Sequence, residues 1–286
     1  MGEAVGRLTE LDLGHTSLLP DQVKAVFASA ARHQSQLRKL NMEGNDLSWL
    51  PIRDLVDAVS SMEEVVLART SLTSSQIRAV LNVKPKQGCS RRRRVLSLAG
   101  LNLSSIEPDL LVKSVASLDK VDLHHTSLTK DQASRLLISL GDGGNLLEEL
   151  NIGHNNLSLL DPTLFALLPK LTRATLNFCQ LTSAQAESLF TAMQAGGSSS
   201  KLKCLLLGKN NLAALQPALL ASCVSSRLEE LRMRQSSLSD EQVEEILQKS
   251  LLGTNLKILM LADVTSRNLD TDLVNAAKGL IEHVYL

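Results

Sequence analysis

Four of the chain's six histidines, His15, His124, His125 and His154, stand within three residues of Asp12, Asp122 or Asn151. Imidazole is the side chain that titrates nearest neutrality, so such groups suit either of two chemistries. Two imidazoles and a carboxylate could hold zinc; alternatively the same residues form a pH-sensitive contact patch for a partner. Their spacing matches no known ligand pattern, which favours the contact patch, and no metal or cofactor is expected. His125 and His154 occupy equivalent places in successive stretches of sequence, so their rings could stack. A second cluster, Arg91 to Arg94, reads either as an anchor for an acidic partner, nucleic acid or an import receptor, or as a solvated loop edge. No glycine-rich phosphate loop is present, serines near histidine lack a nucleophile-elbow context, and Glu148 and Glu149 point to opposite sides of a strand. The protein is therefore expected to be non-enzymatic.

The elements that position these residues follow from a repeat. A pattern approximating LxxLxLxxNxL opens at Leu8, Leu37, Met62, Arg93, Leu118, Leu147, Leu171, Leu202, Leu228 and Leu256, and a further copy begins at Ile281. Successive openings lie 29, 25, 31, 25, 29, 24, 31, 26, 28 and 25 residues apart, so long and short repeats alternate. Within LxxLxL, apolar residues alternate with polar ones, which marks a short strand with one buried face. Two places before the final leucine stands a small polar residue that can satisfy turn backbone, such as Asn45, Thr70, Asn155, Cys179 or Asn210. Leu101 and Val264 depart from this rule, and their turns are expected to be less well tied. Long repeats then show Thr73 with Gln76, Thr129 with Gln132, Thr182 with Gln185 and Ser239 with Gln242, the signature of a capping box. Short repeats open their helices with Pro51, Pro108, Pro162 and Pro217, where a missing N–H costs least. The insertions around Asp142 to Asn145 and Gly196 to Ser200 precede strands and so fall on one rim.

Composition narrows the function classes. Thirty basic and thirty acidic residues balance to a net charge of zero, and aromatic residues are 2% of the chain, so nucleic acid is an unlikely ligand on both electrostatic and stacking grounds. No apolar run is long enough to span a bilayer, and the residues from Met1 onward lead directly into the first repeat without the look of a signal peptide. The four cysteines, Cys89, Cys179, Cys204 and Cys223, form no CxxC pair and no terminal cluster, which points to a reducing, cytoplasmic setting. Glycosylation triplets at Asn102 and Asn156 lie in or beside the repeat turns and carry little weight.

On the residues Leu147–Leu157, LEELNIGHNNL, and Leu228–Leu238, LEELRMRQSSL, the chain resembles leucine-rich repeat proteins of the ribonuclease-inhibitor-like subfamily, and the likeness extends over nearly its whole length. The resemblance implies an α/β solenoid: a horseshoe of about ten repeats forming one domain over residues 1–286, with parallel strands on the concave face and helices on the convex face. It also implies binding, since this subfamily includes cytosolic inhibitors, sensor ends of innate immune receptors, actin-binding regulators and activators of the Ran GTPase. The chain departs from the ribonuclease inhibitors in being poor in cysteine and in concave aromatic residues. The expected function is a protein–protein interaction module using the concave strands and one rim, with Asp12, His15, Asn41, Arg69, Asp122, His124, His125, Asn151, His154, Phe178, Lys209, Arg232 and Arg234 as contact residues. The alternatives are a sensor end of an immune receptor, or a GTPase activator in which Arg69 or Arg94 acts on the nucleotide. The partner is a protein, no membrane is involved, and the chain is a monomer or associates weakly end to end.

Overall fold

A computed structural model of the protein describes residues 7–32, 35–83, 93–197, 200–225, 227–261 and 269–286. Its contacts fall into two compact units, Met1–Gln132 with Gly144–Leu147, and Ala133–Gly143 with Glu148–Leu286. Each repeat supplies one three-residue strand. The first unit holds β1 (Glu10–Asp12), β2 (Lys39–Asn41), β3 (Glu64–Val66), β4 (Val95–Ser97) and β5 (Lys120–Asp122). The second holds β6 (Glu149–Asn151), β7 (Arg173–Thr175), β8 (Cys204–Leu206), β9 (Glu230–Arg232), β10 (Ile258–Met260) and β11 (His283–Tyr285). Within each unit the strands pair in chain order, parallel and in register, so that Glu10 aligns with Lys39 and Glu64 in one and Thr175 with Leu206 and Arg232 in the other. The middle residue of each inner strand is buried and its flanking residues line the opposite face, as the period-two pattern requires.

The capping boxes form as the sequence predicts, and they do more than end a helix. The backbone N–H of Thr129 donates to Gln132 Oε1 at 2.8 Å, and the Gln132 N–H donates to Thr129 Oγ1 at 3.2 Å. The Gln132 amide nitrogen is then left to donate to the carbonyls of Leu103 and Ile106, at 2.6 and 2.7 Å, in the preceding repeat. Gln76 does the same to Leu47 and Leu50, Gln185 to Leu157 and Leu160, and Gln242 to Leu212 and Leu215. All four glutamines are buried. Each thus ties a long-repeat helix to the turn of the short repeat before it, where no ladder reaches those carbonyls. Gln22, in the first repeat, closes only its own turn by accepting from the Leu19 N–H.

Helices in the short repeats follow their prolines and are brief: Ile52–Val59, Pro108–Val115 and Pro217–Ser222 are α-helical, and Pro162–Lys170 winds as a 3₁₀ helix with Pro169 inside it. The turns at the strand ends are tied largely as expected. Asn210 donates to the carbonyls of Leu176 and Leu207 and accepts from Cys179 and Leu181, joining two repeats. The Thr70 and Thr126 hydroxyls donate within their own repeats, to the carbonyls of Leu67 and Leu123. Leu101 is buried and offers its turn no such polar side chain; Val264 lies outside the described residues.

Both readings of the arginine cluster need correction at Arg93. Arg91 and Arg92, with Cys89, lie outside the described residues, but Arg93 takes the place of the opening leucine and is largely enclosed. Its guanidinium donates to the carbonyls of Val80 and Val59, at 3.0 and 3.3 Å, at the C-terminal ends of two helices. Those carbonyls carry the negative pole of each helix, which explains how a cation is tolerated at a core position although burial pushes its pKa down to about 10. Arg94 is exposed and paired with Asp119 at 2.6 Å.

Replacing Gln132 with alanine takes the side-chain donor from the Ile106 carbonyl and leaves the Leu103 carbonyl with the Ile106 N–H alone, and should cost about 1–3 kcal/mol in urea denaturation, whereas Gln22→Ala should cost well under half of that. Gln132→Glu should be worse at neutral pH than under acid conditions, because an ionised carboxylate only accepts hydrogen bonds and would face the Leu103 and Ile106 carbonyls.

Candidate functional site

The open face of the strands carries two rows of side chains, from the first and third residues of each strand. In the first unit the first row reads Glu10, Lys39, Glu64, Val95, Lys120. Lys39 Nζ lies 2.9 Å from Glu10 and 3.7 Å from Glu64, so opposite charges pair across adjacent strands. The hydrogen bond to Glu10, then the charge of Glu64, holds the Lys39 pKa above its ordinary value. The pairs remain solvent-exposed, and screening by water leaves each with little net contribution to stability. The third row holds Asp12, Asn41, Val66, Ser97 and Asp122.

Four of the predicted contact residues have a local task in that row. Asp12 accepts from the Gly14 N–H and from the Asn41 amide, both at 2.9 Å. Asn41 accepts from Glu43, Asp122 from His124 and Asn151 from Gly153, each two residues on. These side chains close the turn that ends their strand, and both bonds to Asp12 fall on one of its carboxylate oxygens.

Beyond the strands lies a rim whose backbone is left-handed. His15, Arg69, His125, His154, Phe178, Lys209 and Gln235 have φ between 53° and 58°, and Gly44 and Gly100 stand at the same place with φ of 73°. Left-handed backbone is uncommon outside glycine, and least expected for a bulky ring. In the first unit the two glycines are required for space as well as conformation. A Cβ at Gly44 would lie 2.5 Å from His15 Nδ1, and one at Gly100 would lie 2.8 Å from Arg69 Cγ. His15 and Arg69 therefore lean over the following short repeat, with His15 Nε2 also 3.5 Å from Glu43.

In the second unit that place is filled in four successive repeats, by His154, Phe178, Lys209 and Gln235. The His154 ring centroid lies 4.0 Å from that of Phe178, and Lys209 Nζ lies 4.2 Å from the Phe178 ring centre. Within its own unit His154 thus meets an aromatic ring, while in the other unit the His125 ring centroid is 6.4 Å from that of His124. On the strands, Arg173 reaches past Cys204 to Glu230 at 3.0 Å and stands 4.0 Å from Glu149. Glu230 also meets Arg232 and accepts from the Cys204 thiol at 2.9 Å. Burial opposes ionisation of Glu230, but the thiol and the two guanidinium groups outweigh it and hold its carboxyl below the usual range. The same burial and contact push the Cys204 thiol up, so it stays protonated and unreactive.

The thirteen predicted contact residues therefore fall into three sets. Asp12, Asn41, Asp122, Asn151 and Arg232 lie on the strands' open face; His15, Arg69, His125, His154, Phe178 and Lys209 form the left-handed rim; His124 and Arg234 precede that rim by one residue. Among the described residues no three histidine, cysteine or acidic side chains gather closely enough to hold a metal ion. Sequence reasoning missed Leu206, Met260 and Tyr285, which occupy third-row places in β8, β10 and β11. The signal was present as apolar residues where the repeat usually sets a polar one.

Parallel three-residue strands, each followed by a helix and stacked in chain order, define the leucine-rich repeat fold. Residues 146–168 match the family model described as Leucine Rich Repeat. An internalin, inlF, from Listeria monocytogenes superposes with a TM-score of 0.54 at 16% identity, over 94% of this chain and 70% of that one. The leucine-rich repeat-containing protein LegL7 from Legionella pneumophila superposes with a TM-score of 0.58 at 17% identity, over 95% of this chain and 91% of its own. No curated protein sequence matches. No helix among the described residues is long and apolar enough to cross a membrane.

The His124 pKa is lowered from 6.5, first by burial, then by the charges of His125 and Arg69 against the opposing pull of Asp122. The unfolded chain binds that proton more tightly, so the contribution of His124 to stability is complete above pH 6.5 and is lost as pH falls below 6.5 and through the lowered folded value. NMR titration should find a His124 midpoint below 6.5, and Asp122→Asn should move it lower still.

Proposed function

We propose that this chain is a non-catalytic protein-interaction module that binds its partner across the open strand face and the left-handed rim. The observation that carries this reading is the rim itself, where bulky residues including the exposed Phe178 are held in backbone that glycine would occupy at lower cost. The backbone N–H groups of His15, Arg69, His154, Phe178 and Lys209 donate to carbonyls of the next repeat, at Glu43, Ala99, Asn177, Gly208 and Arg234, so these side chains are presented on fixed backbone. Pre-set side chains lower the ordering cost of association, the mechanism by which such a surface gains affinity.

The alternation of long and short repeats supports a place among the ribonuclease-inhibitor-like leucine-rich repeat proteins. The described cysteines, Cys179, Cys204 and Cys223, are free and buried, which supports a reducing, cytoplasmic setting. Affinity purification from the native cell, repeated with Asp122, His125 and His154 changed to alanine, tests the surface. Loss of the recovered partners is expected, and their recovery at equal yield would place binding elsewhere on the protein.

A further inference from the structure

We propose that the face formed by β8 to β11, with the rim from His154 to Arg234, docks an acidic peptide segment of a partner protein that carries an apolar or aromatic anchor. This rests on the interaction reading above and names the chemistry of the partner.

Phenylalanine use gives the first argument. Of four phenylalanines, Phe27, Phe165 and Phe190 are fully buried, while Phe178 is 39% exposed on left-handed backbone between His154 and Lys209 in repeat order. An aromatic ring held rigid at a surface, bordered by a cation 4.2 Å from its centre, is the kind of group that dominates interface energetics. The third row supplies the second argument. Leu206, Arg232, Met260 and Tyr285 align in register across adjacent strands, which lie about 4.8 Å apart. Leu206 and Met260 are partly exposed and Tyr285 is 48% exposed, so apolar surface flanks a guanidinium on both sides.

Charge sets the sign of the partner. Among the described residues of the second unit, the strand face and rim carry the cations Arg173, Lys209, Arg232 and Arg234 and the carboxylates Glu149 and Glu230. Both carboxylates already lie within 4.0 Å of Arg173, and Glu230 meets Arg232 and the Cys204 thiol as well. The surface consequently presents a cationic surplus around apolar places, complementary to carboxylates spaced around a hydrophobic side chain. The first unit differs, since its third row carries Asp12 and Asp122 and no cation. Acidic segments are thereby directed to the second unit. A nucleic acid would match the charge but would leave Leu206 and Met260 without an apolar counterpart.

Fluorescence anisotropy of the full chain with a labelled peptide, glutamates flanking a single leucine and a single tyrosine, tests this. Saturable binding that weakens with added salt is expected, with Phe178→Ala lowering affinity by at least about tenfold and Lys209→Glu with Arg234→Glu lowering it by about a hundredfold. Arg53→Glu, on the exposed side of the helix Ile52–Val59 in the first unit, should leave affinity unchanged, and thermal melts should show each variant folded. Absence of saturable binding at low salt, equal binding of the same peptide with lysine in place of glutamate, or tighter binding of a labelled single-stranded oligonucleotide would overturn the assignment. Unchanged affinity in the folded variants would overturn it as well. Partner recovery in the affinity purification without acidic-peptide binding would remove the acidic class and leave the interaction reading standing.

Discussion

The structure depends on a buried amide that serves two repeats at once. Gln76, Gln132, Gln185 and Gln242 each close the cap of their own helix with the side-chain oxygen and donate to two carbonyls of the preceding repeat with the nitrogen. In a repeat array, stability is the sum of modest repeat terms and the interfaces between neighbours. Leucine burial provides most of each interface but is indifferent to small shifts, because apolar contact is non-directional. The glutamine fixes where one repeat stands on the next, and that sets the placement of every strand-face and rim side chain derived from it.

Much of this was legible in the sequence because it is periodic. Leucine spacing fixed the strands, and the Thr or Ser with Gln pairs fixed where long-repeat helices begin. The second half of the glutamine's role was not legible, because its acceptors are backbone carbonyls, which leave no mark on residue type. Arg93 misled for a related reason. It sits in a run that reads as a solvated basic segment, and only its place in the repeat count marks it as a core position whose charge is met by helix ends.

The site was legible in part. The residues nominated for binding do lie on the strand face or the rim, since period-two alternation places them there. Their division of labour was hidden. Asp12 and Asn41 look alike in sequence to free recognition groups, yet each closes a turn. Phe178 and Lys209 look unrelated, 31 residues apart by their numbers, yet they meet because the repeat brings them into adjacent places. Apolar residues in the third row were overlooked because leucine in such a chain is read as core by default.

The rim also bears on how such a surface can change over generations. Its left-handed conformation is imposed by hydrogen bonds to the neighbouring repeat, and those bonds involve backbone alone, as with Phe178 to Gly208 and Lys209 to Arg234. The conformational cost is borne whichever non-glycine side chain stands there. Histidine, arginine, phenylalanine, lysine and glutamine all occur at this place within one chain, so a lineage can exchange them at nearly constant stability. Specificity is free to drift along this line, while the glutamines beneath it are not.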